Sequence, residues 1–248
     1  MTSGKYVQVL GIRFFSGDVD DAVALAKKGG LIVFPSAPVL VELPHDAEHR
    51  RALLNADLAF TDSGLMVLLW RYLKRERILR ISGLAYMKRL ITLQELRTAG
   101  VFWVLPTARS KELCCRWLAQ QGINYSDDDF YIAPIYPAGA IVDAGLAAEL
   151  SKRSARQIII GLGGGTQERL GLYLKQTLTY KPAIHCIGAA LAFLTGDQAP
   201  IPSWADKMFL GWLFRCVTDP LRFVPRYWKA RHLIRLIRTY GHELPVVK

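Results

Sequence analysis

The chain has 248 residues, 51% of them hydrophobic and 21% charged, with a formal net charge of +11. This composition is typical of a globular protein with a sizeable core, and it excludes an intrinsically disordered chain. The longest apolar run, residues 184–195, falls short of the roughly 18 to 20 residues that cross a bilayer, and residues 1–6 are not followed by the apolar core of a signal peptide.

Strand patterns alternate with helix patterns along the first 195 residues. A first strand is predicted at residues 6–12, and residues 18–28 predict a helix that begins at Gly17 or Asp18 and ends at Gly29-Gly30. The remaining predicted strands are residues 30–34, 56–60, 101–105, 129–133, 158–160 and 182–188, and the remaining predicted helices are residues 48–55, 65–73, 110–121, 143–151 and the stretch after 166. Residues 184–195 are interpreted as a buried strand followed by a turn. The alternation predicts an α/β fold, a parallel sheet with helices on both faces.

Three of the predicted strands end in polar or glycine-rich residues, at 34–36, 60–64 and 160–164. In sheets of this kind, ligands bind at the carboxyl ends of the strands. We therefore expect these three segments to line a single ligand-binding cleft.

The most informative segment is residues 157–168, Gln-Ile-Ile-Ile-Gly-Leu-Gly-Gly-Gly-Thr-Gln-Glu. A strand leads into a turn that has no side chains to block a ligand, formed by Gly161, Gly163, Gly164 and Gly165, and a helix follows. Free amides and the positive end of the helix dipole make such a turn a natural anion site. Its spacing fits neither a dinucleotide fingerprint nor a P-loop, so a purely structural turn is the alternative. Gln167 and Glu168 favour a ligand site because they can fix a polar ligand.

The chain is strongly basic after residue 205, with nine Lys and Arg residues against three acidic ones. Asp219-Pro220 is a good helix start, and Pro225 is expected to break, kink or restart that helix. Residues 226–240 then predict a basic amphipathic helix that ends at Gly241. Aromatic and basic residues on one such helix indicate binding to an anionic membrane surface. The alternative is a helix that packs on its own domain and exposes a solvated basic face.

Seven segments in order along the chain carry a resemblance to a known family. They are Val9-Leu-Gly-Ile12, Phe34-Pro-Ser-Ala37, Ala56-Asp-Leu-Ala-Phe-Thr-Asp-Ser63, Arg80-Ile-Ser-Gly83, residues 161–168, Leu210-Gly-Trp-Leu-Phe-Arg215 and Pro220-Leu-Arg-Phe-Val-Pro-Arg-Tyr227. This ordered set resembles the WecG/TagA/CpsF glycosyltransferases (glycosyltransferase family 26). The chain departs from the family pattern at Phe34, Ser36, Ser63, Leu84, Gly165-Thr166 and Gln198, so the sugar and the acceptor stay open.

The resemblance implies a Rossmann-like sheet and an inverting, metal-independent transfer. A sugar would pass from a nucleotide diphosphate donor to a polyprenyl-diphosphate-linked acceptor, with no cofactor, at the inner face of the cytoplasmic membrane. Asp62 is implied as the general base, since the attacking hydroxyl must lose its proton. Arg215, Arg222 and Arg226 are implied to neutralise the leaving diphosphate. The implied substrate-binding residues are Ser36, Gly83, Gly161, Gly163, Gly164, Gln167 and Glu168.

Three other interpretations remain open at this point. Asp62 could instead be the N-cap of the helix that follows it. The protein could be a non-catalytic nucleotide-sugar or phosphate-binding protein that kept the fold. A nucleic-acid-binding role for the basic tail is the weakest of the three, because Trp228 and Tyr240 lie on an amphipathic stripe and not on a stacking platform.

The remaining expectations concern domains, cysteines and histidines. Residues 1–196 are predicted to form the glycosyltransferase domain, and residues 197–248 a basic helical appendage that closes the active site at the membrane. A chain that ends near Ser203 is then expected to stay folded. The four cysteines show no paired metal-ligand spacing, and the adjacent Cys114 and Cys115 make a poor disulfide, which favours a reducing cytoplasm. His45 and His49 are interpreted as a solvated helix face and His185 as a satisfied buried residue, so no metal site is predicted.

Overall fold

The structure is a computed structural model that describes residues 6–93, 100–199 and 201–247. The strands are β1 (Tyr6–Val9), β2 (Ile12–Phe15), β3 (Gly30–Val33), β4 (Leu58–Phe60), β5 (Val101–Leu105), β6 (Phe130–Ile132), β7 (Gln157–Ile160) and β8 (Ala183–Cys186). They form one eight-stranded sheet in the order β1-β2-β4-β3-β8-β7-β5-β6. Every pair is parallel except β1 with β2. The predicted α/β, Rossmann-like fold is therefore confirmed.

The predicted first strand at residues 6–12 is wrong, because this stretch begins a hairpin. Leu10 and Gly11 have φ angles of 51° and 76° and turn the chain between β1 and β2. Two consecutive residues with positive φ make the tight turn whose twist suits a hairpin. In a sequence, Asn-Gly predicts such a turn, whereas Leu-Gly inside an alternating apolar pattern does not.

Helices cover both faces of the sheet. They are α1 (Val19–Ala26), α2 (Ala37–Leu40), α3 (Ala47–Leu54), α4 (Gly64–Lys74), α5 (Gly83–Leu90), α6 (Ala108–Gln120), α7 (Ala144–Arg153), α8 (Thr166–Thr177), α9 (Ala189–Thr195), α10 (Ser203–Lys207), α11 (Gly211–Thr218), α12 (Pro220–Ala230) and α13 (His232–Tyr240), with a 3₁₀ turn at Asp127–Asp129. Alternate residues of each strand face opposite cores, so Ile159 packs with α1, α5, α6 and α9, whereas Ile158 and Ile160 pack with α2, α3, α4, α7, α8 and α13.

Two helices of more than one turn before residue 196 differ from the sequence prediction. No helix is predicted at residues 83–90, where the structure has α5. The interpretation of residues 184–195 as strand and turn is wrong in its second half, which forms α9. Ala190 and Leu191 of α9 are buried in the same core as α5 and α6. A run that is apolar at nearly every position has no helical period by which a sequence could reveal it.

Pro225 neither breaks nor restarts its helix, which corrects two of the three outcomes expected there. α12 begins at the predicted Asp219-Pro220 start, where the Asp219 carboxylate accepts a hydrogen bond from the Arg222 amide, and it continues through Pro225 to Ala230. Pro225 has no N–H to donate to the carbonyl of Leu221, four residues before it. Leu221 is 92% exposed, so water can donate to that carbonyl instead. The single helix predicted at residues 226–240 is in fact α12 followed by α13.

The end of the chain is built into the fold. Leu233 and Ile237 of α13 are fully buried in the core that also holds Trp70. Beyond α13, the amides of Leu10 and Gly11 in the β1–β2 turn donate to the carbonyls of Gly241 and His242, at 2.9 and 2.8 Å. A chain that ends near Ser203 would lose these contacts, so the structure argues against the expectation that it stays folded. The domain division at residue 196 remains a prediction.

Candidate functional site

A cleft of about 270 Å3 opens at the carboxyl ends of the central strands. Phe34 follows β3, Asp62 lies just after β4, Gly161 follows β7 and Ile187 follows β8, and all four line the cleft. The prediction that these strand ends line a single ligand-binding cleft is therefore confirmed. The cleft lies between β3 and β8, which are neighbours in the sheet. The chain after β3 leads to a helix on one face and the chain after β8 to a helix on the other, and ligand sites in such sheets usually lie at this kind of position.

The structure brings nearly all of the predicted site residues together in this cleft. Its walls include Ser36, Asp62, Gly161, Gly163, Gly164, Gln167, Glu168, Arg215, Arg222 and Arg226. Gly83 is not part of the wall, but its amide donates a hydrogen bond to Asp62 Oδ1 at 2.8 Å. Residues that are 190 positions apart thus face one another across a single opening.

Asp62 is held by a neighbouring helix and does not cap its own. The N-cap of α4 is Ser63, whose hydroxyl accepts from the Met66 amide at 3.2 Å, so the N-cap interpretation of Asp62 is wrong. One carboxylate oxygen instead accepts from the first amide of α5, at Gly83. The other oxygen has no hydrogen-bond partner within the described part of the chain. Asp62 is half-buried, oriented at one oxygen and free at the other.

The glycine turn exposes its backbone to the cleft. Gly163 and Gly164 are exposed, and among the described residues their amides have no acceptor. A Cβ at Gly163 would meet nothing within 4 Å, whereas one at Gly164 would lie 2.7 Å from Val39 Cγ2. An anion could therefore approach these two amides directly.

Glu168 has a different position from the one expected of a ligand-fixing residue. Its side chain is fully buried, and Oε2 accepts from the Gly165 amide at 2.6 Å. A carboxylate already occupies the first turn of α8, so the helix end itself offers less to an incoming phosphate than the sequence suggests. Glu168 fixes the glycine turn that a ligand would contact.

Gln167 lines the cleft, and one polar atom of its side chain has no hydrogen-bond partner among the described residues. Its Nε2 donates to Glu168 Oε1 at 2.9 Å and to the Cys186 carbonyl at 3.1 Å. These two acceptors fix the amide orientation, and Oε1 is left buried without a partner among the described residues. The unpaired atom at Gln167 is therefore a hydrogen-bond acceptor, which can pair only with a hydroxyl or an N–H.

His49 contradicts the interpretation of a solvated helix face, although His45 is exposed as expected. The His49 side chain is 1% exposed, and its Nδ1 lies 4.0 Å from Glu168 Oε2. The four-residue spacing of the two histidines conceals the difference, because the Asp46 cap turns α3 so that His49 faces α8. His49 thus supports the glycine turn from behind.

Three arginines gather around one aromatic ring in the cleft. The guanidinium carbons of Arg215, Arg222 and Arg226 lie 5.8, 5.4 and 6.0 Å from the centre of the Phe223 ring. None of the three forms an ion pair with a carboxylate in the described ranges. Partial desolvation lowers the pKa of Arg226, and the charges of Arg222 and Arg215 lower it further. The cluster is an uncompensated positive site that a polyanion would stabilise.

Arg80 lines the cleft, although no site role is predicted for it from the sequence. Its Nε donates to the Asp62 carbonyl at 2.7 Å, and its Nη2 forms an ion pair with Asp206 Oδ1 at 2.7 Å. This side chain therefore joins the β4 end to the C-terminal helices. The motif Arg80-Ile-Ser-Gly83 is the signal that could have identified it, since the same motif supplies the Gly83 amide.

The apolar surface of the C-terminal segment differs from the prediction. The stripe expected to face a membrane on residues 226–240 packs inward, with Leu233 and Ile237 fully buried, so for α13 the packed-helix alternative is correct. A different set of apolar side chains is exposed, on and around α10, α11 and α12: Trp204, Met208, Leu213, Val217, Leu221, Val224 and Trp228. We call this set the outer apolar surface.

Further features bear on the sequence expectations. His185 is a satisfied buried residue as predicted, since its ring nitrogens pair with the Tyr86 hydroxyl at 2.9 Å and with Gln157 Oε1 at 2.7 Å. All four cysteines are free. Within the described ranges, no helix combines the length and hydropathy needed to cross a membrane. In the same ranges, no three His, Cys, Asp or Glu side chains converge as metal ligands would.

The model of the glycosyl transferase WecG/TagA/CpsF family matches residues 7–243, which is almost the whole chain. A search of the curated proteins finds no match.

Proposed function

We propose that the protein, which belongs to the glycosyl transferase WecG/TagA/CpsF family, transfers a sugar from a nucleotide diphosphate to a polyprenyl-diphosphate-linked acceptor. Family membership makes the protein a glycosyltransferase of cell-envelope polysaccharide synthesis. The donor, the acceptor, inversion and independence of metal belong to the proposal. So do the roles of the individual residues.

One observation carries the proposal. Three unpaired guanidinium groups line the same cleft as an oriented carboxylate with one free oxygen. Arginine binds phosphate oxygens through two parallel hydrogen bonds, and charge on a departing diphosphate is stabilised best by donors that are already in place. A cleft with a base at one wall and an anion site at another suits displacement of a diphosphate by a hydroxyl.

The proposed reaction is a single displacement at the anomeric carbon. The acceptor oxygen forms a bond to that carbon while its proton passes to the free oxygen of Asp62. The bond from the carbon to the diphosphate oxygen breaks, and its electron pair leaves with the diphosphate. Arg215, Arg222 and Arg226 neutralise the charge that develops there. The Gly163 and Gly164 amides bind donor phosphate oxygens, and Gln167 Oε1 accepts a hydrogen bond from the donor sugar.

The lipid-linked acceptor would be reached from the membrane surface. The outer apolar surface offers Trp and Leu side chains that suit the boundary between headgroups and acyl chains. Exposed basic residues on α12 and α13 would add about 1 kcal/mol each at an anionic surface, and added salt would weaken them. The side of α11 and α12 that bears the arginines lines the cleft, so one helix pair would serve both lipid and diphosphate.

The decisive experiment uses Asp62→Asn with a panel of nucleotide sugars and a short-chain polyprenyl-diphosphate sugar. Turnover should fall by roughly 100-fold or more, the usual effect of losing a general base, while the donor Kd from calorimetry stays unchanged. The matched control is Asp128→Asn, at a 76% exposed carboxylate on the 3₁₀ turn, which should retain full turnover. Near-normal turnover of Asp62→Asn would refute the assignment.

The same panel separates the alternatives that the sequence leaves open. A non-catalytic binding protein would bind the nucleoside diphosphate and transfer no sugar from any donor. We expect no binding to nucleic acid, because Arg215, Arg222 and Arg226 line the cleft and the exposed tail residue Trp228 lies on a helix and not on a stacking platform. Arg222→Gln should weaken nucleoside diphosphate binding in either case, since the anion site would be common to both functions.

A further inference from the structure

A second, much smaller cavity adjoins the cleft at Asp62. It holds about 40 Å3, and Ser36, Asp62, Arg80, Ile201 and Arg215 line both spaces. We call this smaller space the side pocket. Asp62 therefore stands at the boundary between a large cleft, which Gly163, Gly164 and all three arginines line, and a small recess, which of these groups only Arg215 lines.

Aromatic residues of the C-terminal segment form the far wall of the side pocket. Trp212 and Tyr227 both line it, and their ring centres are 5.8 Å apart. Phe209 contributes next to Gly64, where a Cβ would lie 2.5 Å from the Phe209 carbonyl oxygen. The absence of a side chain at Gly64 lets the C-terminal segment approach α4 closely, and this approach encloses the pocket.

The Trp212 indole contains a buried donor with no acceptor. Its Nε1 is inaccessible to solvent and has no hydrogen-bond partner in the described residues. Indole nitrogen can only donate, and a buried donor left unpaired is costly. Such an atom beside a cavity indicates that a ligand or a water supplies the missing oxygen. The pocket is larger than the ~15 Å3 that one water needs, and far smaller than a sugar ring.

We infer that the side pocket receives the edge of the acceptor sugar that bears the attacking hydroxyl, and that Trp212 Nε1–H donates a hydrogen bond to an oxygen of that sugar. This inference rests on the proposed function. An inverting displacement needs the acceptor oxygen beside the base and away from the leaving group. Arg222, Arg226 and the Gly163 and Gly164 amides line the large cleft and not the side pocket, so they assign the diphosphate to the cleft and leave the side pocket for the acceptor.

The two spaces then divide the reaction between them. The hydroxyl in the side pocket gives its proton to the free Asp62 oxygen and bonds to the anomeric carbon, and the diphosphate leaves into the cleft with the electron pair. The Tyr227 hydroxyl lies near both charged groups: burial raises its pKa, Arg215 lowers it and Asp62 raises it. Trp212 and Tyr227 offer ring faces that suit the C–H surface of a sugar.

The test is Trp212→Phe, which keeps an aromatic ring and removes the donor. We expect KM for the short-chain polyprenyl-diphosphate sugar to rise at least about tenfold, which corresponds to 1.4 kcal/mol. The nucleoside diphosphate Kd and slow hydrolysis of the donor by water should stay within about twofold of wild type, because neither involves the acceptor. The matched control is Trp117→Phe, at a tryptophan of α6 that lines neither the cleft nor the side pocket, which should leave the acceptor KM unchanged.

An unchanged acceptor KM in folded Trp212→Phe would overturn the inference and would show that a water fills the pocket. If wild type transfers no sugar, the proposed function fails instead, so the two failures are distinguishable. Should Trp212→Phe not fold, indole nitrogen-15 spectra of wild type provide the test. One of the six tryptophan N–H signals must shift with the acceptor and not with nucleoside diphosphate alone. No such shift at saturating acceptor would equally overturn the inference.

Discussion

Leu233→Ala is the change that tests whether the C-terminal segment is a structural part of the domain. Leu233 is fully buried in the core shared by α13, α4 and the central strands. Truncating a leucine in such a core removes about 2 to 5 kcal/mol of stability, from the lost burial and from the cavity left behind. The total stability of a domain is only about 5 to 15 kcal/mol, so the loss should be large.

The measurement is urea unfolding followed by circular dichroism, with Leu221→Ala as the matched control. Leu221 lies on α12 and is 92% exposed, so the same substitution there should change stability by less than about 0.5 kcal/mol. With an m value of about 3 kcal/mol/M, a loss of about 3 kcal/mol moves the midpoint by about 1 M. The slope should stay the same, because the whole chain unfolds together.

Two results would refute this reasoning. A loss below about 1 kcal/mol at Leu233 would mean that the core relaxes around α13 or hardly depends on it. A new early transition, with most of the sheet unfolding at the wild-type midpoint, would mean that residues 197–248 unfold as a separate unit. The second result would restore the domain division predicted from the sequence.

Two further predictions concern the glycine turn and the buried histidine. Gly163→Val should leave the melting temperature unchanged, since no atom obstructs a Cβ there, yet weaken nucleoside diphosphate binding about tenfold or more in calorimetry; an unchanged Kd would make the turn purely structural. Burial lowers the pKa of His185 to about 3, so the unfolded chain binds the extra proton and stability should fall by about 1.4 kcal/mol per pH unit as pH drops from about 6.5 towards 3. His185→Gln should reduce that slope in urea titrations at pH 6.5 and pH 5, and an identical slope would contradict the neutral buried histidine.

The location of the site follows from the sequence because topology determines it. Once strands and helices alternate, the residues after each strand must gather at one edge of a parallel sheet. Phe34, Asp62 and Gly161 are identifiable as strand ends from the apolar runs that precede them. The assembly of these residues in one cleft needs no knowledge of side-chain contacts.

The functions of individual polar residues do not follow in the same way. Glu168 and His49 have the residue types of ligand-binding groups, yet both are buried and support the glycine turn. Asp62 has the residue type of a helix cap, yet Ser63 takes that position. For Glu168 and His49, the rotation of a helix about its axis decides which side chain faces the cleft. For Asp62, the residue at which α4 begins decides it, and sequence patterns fix such boundaries only to within one or two residues.

The periodic pattern of the C-terminal segment predicts an amphipathic helix but not the surroundings of its apolar face. The pattern of residues 226–240 establishes that one face is apolar, and it does not establish what covers that face. In the structure, β1, β2 and α4 leave a gap in the core that α13 fills through Leu233 and Ile237. The apolar residues left exposed are on the shorter helices before it, where Pro225 and the short helix lengths obscure the period.

The hydrogen bonds between the β1–β2 turn and residues 241 and 242 have a consequence for the synthesis of the protein. Gln8 and His242 are bonded to each other although 234 positions separate them, so the first hairpin leaves the ribosome long before its partner exists. Until then the nascent chain exposes core around Trp70 and lacks the arginine wall of the cleft. Contacts of such long range form late in folding. An interrupted chain would therefore lack both the contacts that close its first hairpin onto the end of the chain and, on the proposed function, the arginines that neutralise the leaving diphosphate.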